Sequence, residues 1–210
     1  MKSNRIYLLA LLSIFAAFLP AVLLRDFNPL NELSYLAIAS ESMERGSFFA
    51  FYQDGSPYAD KPPLYLWICM LCLSIAGQNA MPLVLLASVI PFIFVLSIMD
   101  RYLGVDFPPQ ERLLIILGMC SLLFVDVLGV IARMDMLFTA VMLLAYMKMV
   151  KRYTLIKELG PSAPRPKYGN LSIPLLLFLG VFTKGPYGFI FPVLSLVAMM
   201  AFNRDLRRFF

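Results

Sequence analysis

The sequence has no histidine and a single tryptophan among its 210 residues. Without imidazole, the commonest metal ligand and the commonest general base near neutral pH are both missing, so acid–base chemistry falls to carboxylates or lysines. Cysteine is scarce, and Cys69, Cys72 and Cys120 all lie inside apolar runs. That placement argues against a disulfide framework and against a zinc site. Cys69-x-x-Cys72 has the spacing of a redox motif, but it lacks the charged, soluble surroundings that activate a thiol, so packing accounts for it. Charge is thin as well: 15% of residues are charged and 60% hydrophobic, against about 25% and 45–50% in an ordinary soluble domain.

The charge is missing in blocks. Ile6 to Leu24 runs 19 residues, and Pro62 to Met99 runs 38, without a charged side chain; about 20 helical residues cross the ~30 Å hydrocarbon layer. The chain therefore reads as an integral membrane protein and not as a soluble enzyme. Its net charge of +5 does not point to nucleic acid, because the basic residues sit in short groups between apolar runs, as orientation signals do.

No small-residue cleavage site follows the first run, only Arg25-Asp26-Phe27-Asn28-Pro29, so it reads as a retained crossing and not as a signal peptide. Further apolar runs cover residues 81–99, 113–132, 136–150, 171–182 and 185–202. Whether 62–77 also crosses is decided by the positive-inside rule, since counting it inverts everything downstream. If it does not cross, all but five of the 18 Lys and Arg residues fall on the cytoplasmic side; the five outside are Arg25, Arg45, Lys61, Arg133 and Lys184. If it does cross, only Lys2, Arg5, Arg133 and Lys184 remain inside. The first distribution obeys the rule. The expectation is an all-α, polytopic transmembrane bundle of about six crossings, both termini cytoplasmic, with interfacial helices in an outer loop over 25–80.

That loop is the only long polar segment outside. Asn28 suits a helix N-cap and Pro29 the first helical position, and Leu30, Leu33, Leu36, Ala37 and Met43 keep a helical apolar spacing until Gly46 ends it. Gln53-Asp54-Gly55-Ser56-Pro57 reads as a turn. Pro62 and Pro63 then force Lys61 out of helix and fix it at the start of the interfacial segment, while Tyr58, Tyr65 and Trp67 suit the headgroup layer. The strip Lys148 to Lys167, with six basic residues and three prolines, reads as a cytoplasmic linker near anionic lipid.

Four segments taken together resemble a known family. They are Asn31-Glu32-Leu33-Ser34-Tyr35-Leu36-Ala37-Ile38-Ala39; Tyr58-Ala59-Asp60-Lys61-Pro62-Pro63-Leu64-Tyr65-Leu66-Trp67; Ala132-Arg133-Met134-Asp135-Met136-Leu137; and Val181-Phe182-Thr183-Lys184-Gly185-Pro186 continuing to Pro192. In that order they resemble the integral-membrane type C glycosyltransferases, particularly the aminoarabinose transferase and protein mannosyltransferase-like group. The resemblance implies sugar transfer from a polyprenyl-phosphate donor to a lipid acceptor of the lipid A or lipopolysaccharide kind, or to a protein. It places the active site on the periplasmic side of the plasma (inner) membrane. It implies an inverting displacement at the anomeric carbon with no cofactor and no obligatory metal. The chain is shorter than such enzymes, so 1–210 is expected to be the N-terminal transmembrane part of the catalytic domain, with the C-terminal part absent.

Such a transfer needs a base for the acceptor hydroxyl and cations for the departing phosphate. Glu32 and Asp135 are the candidate carboxylates; Lys61, Arg133 and Lys184 are the candidate phosphate clamp. Asn31, Tyr35, Asp60 and Asp126 are secondary candidates, Asp126 because an acid within an apolar run is a functional candidate by default. Family members often have Asp-Glu followed by x-Arg-Tyr; here Asn31 stands in place of the aspartate and Ser34 in place of the arginine. Either Glu32 carries the carboxylate role, or this branch works differently, or the copy is inactive. The competing classes are a non-catalytic or truncated membrane subunit and, less favoured for want of inverted repeats, a lipid transporter.

Overall fold

The structure, a computed structural model, describes residues 26–120, 131–160, 163–164 and 169–205, together with helical positions 9, 12, 13, 16, 17, 19, 20 and 24. Asp126 lies outside the described residues, as do parts of the 6–24 and 113–132 runs. The chain divides into two compact units, Met1–Asp60 with Tyr65–Leu137, and Lys61–Leu64 with Phe138–Phe210.

In the first unit the outer loop opens with a π-helical turn over Pro29–Leu33 that leads into α1, Ser34–Glu44. Asn28 caps this turn as its sequence suggested: its side-chain oxygen accepts the Leu30 N–H at 3.0 Å. At the other end Gly46 adopts φ +65°, the left-handed conformation that stops a helix. The expected turn at Asp54-Gly55 joins two short strands, β1 (Phe51–Gln53) and β2 (Ser56–Tyr58), antiparallel with Phe51 opposite Tyr58. Asp54 and Gly55 both have positive φ, as the favoured two-residue hairpin turn requires. Apart from this hairpin the described residues are mostly helical, in keeping with the all-α expectation. The hairpin is docked on α1, where Ser42 Oγ accepts the Tyr52 N–H and Glu41 Oε1 accepts the Gly55 N–H, both at 3.0 Å.

Next comes α2, Pro63–Ala76, with a proline at its first position. Its 14 residues reach only about 21 Å at 1.5 Å per residue. A 3-10 turn, Gly77–Asn79, leads to α3, Met81–Leu103. Among the described residues α3 is the one helix long and apolar enough to cross a membrane; the apolar stretches Pro63–Asn79, Leu171–Lys184 and Tyr187–Phe202 are shorter. Asp100 and Arg112 pair at 3.2 Å and tie the end of α3 to α4, Pro109–Cys120. The core of this unit gathers Tyr35, Ile38 and Ala39 of α1, Tyr65, Leu66 and Cys69 of α2, Val84 and Leu85 of α3, and Ala132 and Met134.

The helix α5 runs Asp135–Leu159, well past the expected end at Val150. The strip beginning at Lys148 is therefore helical as far as Leu159, and most of its remainder lies outside the described residues. Nothing in Lys151–Leu159 breaks a helix, and Gly160, with φ +68°, ends it. In the second unit α6, Gly169–Lys184, packs against α7, Tyr187–Phe202. Two glycines permit this: a Cβ added at Gly188 would fall 2.0 Å from the Gly180 carbonyl carbon. The break between the two helices is at Gly185, φ +68°, where the sequence placed it.

Candidate functional site

The segment Ile131–Met134, just ahead of α5, is irregular, so its amides need partners from elsewhere. Glu32 supplies one. Its side chain is 0% exposed; Oε2 accepts the Asn28 N–H at 2.9 Å, and Oε1 accepts the Ala132 N–H at 2.7 Å, a hundred residues away. The first bond makes, with Asn28 as cap, a reciprocal capping arrangement around the π-helical turn. The second fastens the outer loop to the approach to α5. Ser88, buried on α3, supplies the rest: its hydroxyl donates to the Arg133 carbonyl at 3.0 Å and accepts the Arg133 N–H at 3.2 Å. The π-helical turn and α3 thus hold the backbone of Ala132 and of Arg133, which pairs with Asp135.

Arg133 Nε lies 3.2 Å from Asp135 Oδ2, with the arginine side chain 36% exposed and the aspartate 15%. Tyr35 belongs to the same cluster. Burial pushes its phenol above the usual value, Arg133 draws it back down, and Asp135 and Cys69 push it further up. Its ring meets Tyr65 edge to face, centroids 5.1 Å apart. Tyr65 is 1% exposed, which corrects its expected place in the headgroup layer. Burial also holds the Tyr65 phenol protonated, its value raised further by Cys69 and Tyr35. The same burial raises the Cys69 and Cys72 thiols, and both cysteines are free, in keeping with a packing role.

Asp60 is exposed at the end of the hairpin segment, where it and burial raise the Tyr58 phenol, burial being the larger cause. Asn31 lies in the π-helical turn. Lys61 and Lys184 belong to the second unit. Residues next to each of them approach one another: a Cβ on Gly185 would lie 4.0 Å from Pro62 Cγ. Lys184 Nζ sits 5.4 Å from the centroid of the Phe138 ring, within cation–π range. Among the described residues Lys61 forms no ion pair or hydrogen bond.

The structure thus joins Glu32, Tyr35, Arg133 and Asp135 through one small network, and sets Lys61 and Lys184 in neighbouring segments of the other unit. Sequence reading missed Ser88 altogether, because a serine inside an apolar helix carries no signal of a partner 45 residues away.

No protein-family model matches the sequence, and no curated protein matches it. The fold is similar to that of ArnT, an aminoarabinose transferase, from Cupriavidus metallidurans. Against the crystal structure of its apo state the TM-score is 0.75 at 17% identity, covering 98% of this chain and 37% of that one. Against its structure bound to undecaprenyl phosphate the TM-score is 0.76, again at 17% identity, covering 97% and 37%. The chain thus shares the fold of part of ArnT over nearly its whole length and spans 37% of the length of the structures it matches.

Proposed function

We propose that this chain is the membrane-embedded, site-bearing part of a glycosyltransferase that moves a sugar from a polyprenyl-phosphate donor to a lipid or protein acceptor outside the cytoplasm. The observation that carries the reading is the match over 97% of the chain to a structure that holds undecaprenyl phosphate. The topology proposed with it has six crossings, both termini cytoplasmic and the outer loop facing the periplasm, as the distribution of Lys and Arg favours.

In the proposed reaction the acceptor oxygen attacks the anomeric carbon. The bond from that carbon to the phosphate oxygen breaks, its electron pair leaves with the phosphate, and the hydroxyl proton passes to a carboxylate. Of the two candidate carboxylates, Asp135 is the better placed to take the proton. Both oxygens of Glu32 already hold amides inside a fully enclosed site, whereas the Asp135 side chain stays 15% exposed beside a half-buried arginine. Glu32 then acts by holding the Ala132–Arg133 backbone. Lys61 and Lys184 are assigned to the phosphate, with Arg133 as the third cation. A fixed cation stabilises charge that develops on a leaving group more effectively than mobile solvent does.

Binding of undecaprenyl phosphate to the purified chain tests the phosphate assignment. Lys61→Ala and Lys184→Ala are each expected to weaken binding by about tenfold or more, the scale of one charge-assisted contact. Unchanged affinity in both variants would remove the clamp from the reading. A second reading, a non-catalytic membrane subunit, is favoured by Asn31 standing where the family carries an aspartate. On that reading the lipid still binds and the full-length protein transfers no sugar.

A further inference from the structure

The outer loop turns an apolar face outward that the proposed chemistry does not use. Phe48 and Phe49, between α1 and the hairpin, are exposed, Phe49 at 86%. They are not loose. The Trp67 indole N–H donates to the Phe48 carbonyl at 2.7 Å, and the Phe49 ring meets Trp67 edge to face, centroids 5.9 Å apart at 88°. The one polar atom of Trp67 is committed to the backbone, and its ring is half-buried, packed at the edge of the core. The face continues along α2: Trp67, Leu71 and Ile75 follow the four-residue spacing of one helical stripe, and Leu71 and Ile75 are also exposed. The other side of α2, carrying Tyr65, Leu66, Cys69 and Met70, is buried in the core.

Two observations say what covers this face. The stripe ends at Ile75, and one short turn later α3 begins, the helix long and apolar enough to cross a membrane. At its other end the face is aromatic, and exposed aromatic side chains beside a crossing are the composition of the bilayer interface. We propose that Phe48, Phe49, Trp67, Leu71 and Ile75 form a membrane anchor, seated among the phospholipid headgroups and the first acyl carbons. It holds the start of α2 at a fixed depth. The occupant is the bilayer surface itself, and the anchor does not depend on sugar transfer.

Trp67 is the only tryptophan of the chain, so its fluorescence reports on this face alone. The 210-residue chain is reconstituted in phosphatidylcholine–phosphatidylglycerol vesicles carrying acyl chains brominated near the headgroup end or near the methyl end, and is separately titrated with aqueous acrylamide. The expected result is strong quenching by the shallow bromines, weaker quenching by the deep ones, and little by acrylamide. In Phe49→Asp, whose side chain is exposed and outside the core, quenching should shift from bromolipid toward acrylamide. Strong acrylamide quenching of the wild type would overturn the anchor by placing the face in water. Quenching by neither agent would overturn it by showing that protein covers the face. Stronger quenching by the deep bromines would overturn it by making α2 a crossing.

Discussion

At its N-terminal end α5 carries Asp135, 3.2 Å from Arg133; toward its other end it carries Lys157, 2.6 Å from Asp205. The residue types are nearly the same and the surroundings are not. Asp205 is 4% exposed and has two partners, Lys157 and the Tyr153 hydroxyl, which donates a hydrogen bond to the same carboxylate oxygen. Those contacts join α5 to the residues just after α7. The Asp135 side chain is less buried, 15% exposed against 6% for Asp205, and the rigidity there resides in the backbone behind it, clamped by Glu32 and Ser88. A buried carboxylate held by a lysine and a tyrosine is a structural tie. A less buried carboxylate on a pinned backbone is an arrangement that can receive a ligand.

The largest effect expected from this contrast is on catalysis. In the full-length protein Asp135→Asn, nearly isosteric, should lower transfer from a polyprenyl-phosphate sugar by about 10²-fold or more, the range general-base removal covers. Folded yield and thermal midpoint should hold. Asp205→Asn should do the reverse, lowering the thermal midpoint in detergent while leaving kcat and KM in place. If the two variants exchange these outcomes, the assignment of the two ends of α5 is inverted.

Glu32→Gln probes the clamp. The amide can accept only one of the two N–H groups that the carboxylate now serves, so either Asn28 or Ala132 is left facing another donor in an enclosed site. An unsatisfied buried polar group costs about 1–3 kcal/mol, so stability and transfer should fall together. A fall in transfer alone, at full stability, would make Glu32 the base. Ser88→Ala should do less. It removes the bonds to Arg133, costing on the order of 1 kcal/mol, and raises KM more than it lowers kcat if the loop merely loosens.

Much of the fold was legible because apolar runs and punctuating residues act locally. The helix over α1, its Asn28 cap, the stop at Gly46 and the break at Gly185 follow from residues within a few positions of each feature. The hairpin was half legible: Asp54-Gly55 announced a turn, but strands of three residues are too short to show alternation. The ends of the apolar runs misled where charge and helix part company. Lys148 marks the end of hydrophobicity in α5, and Gly160 marks the end of the helix. The site was legible in its residue types and not in its pairings. Nothing near Glu32 predicts an amide a hundred residues away, and nothing near Lys157 predicts Asp205. Tyr65 was misplaced because an interfacial and a core tyrosine look alike in sequence; the packing of Tyr35 decides between them.

The smallest expected effect is a pH dependence confined to the Asp205 tie. The hydrogen bond to Asp205 raises Lys157 above the ordinary lysine value of 10.5, and a hydrogen bond to the same carboxylate is the main cause that raises Tyr153 above 10.0. Each group holds its proton more tightly folded than unfolded. The stabilisation is therefore complete below the unfolded values and is lost as pH climbs through the raised ones. Because Lys157 is 39% exposed, solvent screens much of its share. The thermal midpoint in detergent should accordingly stay flat up to about pH 10 from these two groups and decline above it. In Lys157→Met with Tyr153→Phe the part of that decline that belongs to the tie should disappear, while the wild-type and variant curves differ by a constant offset at lower pH. A decline of equal size in the variant would assign the alkaline loss to other groups and leave the Asp205 tie without a measurable share of the stability.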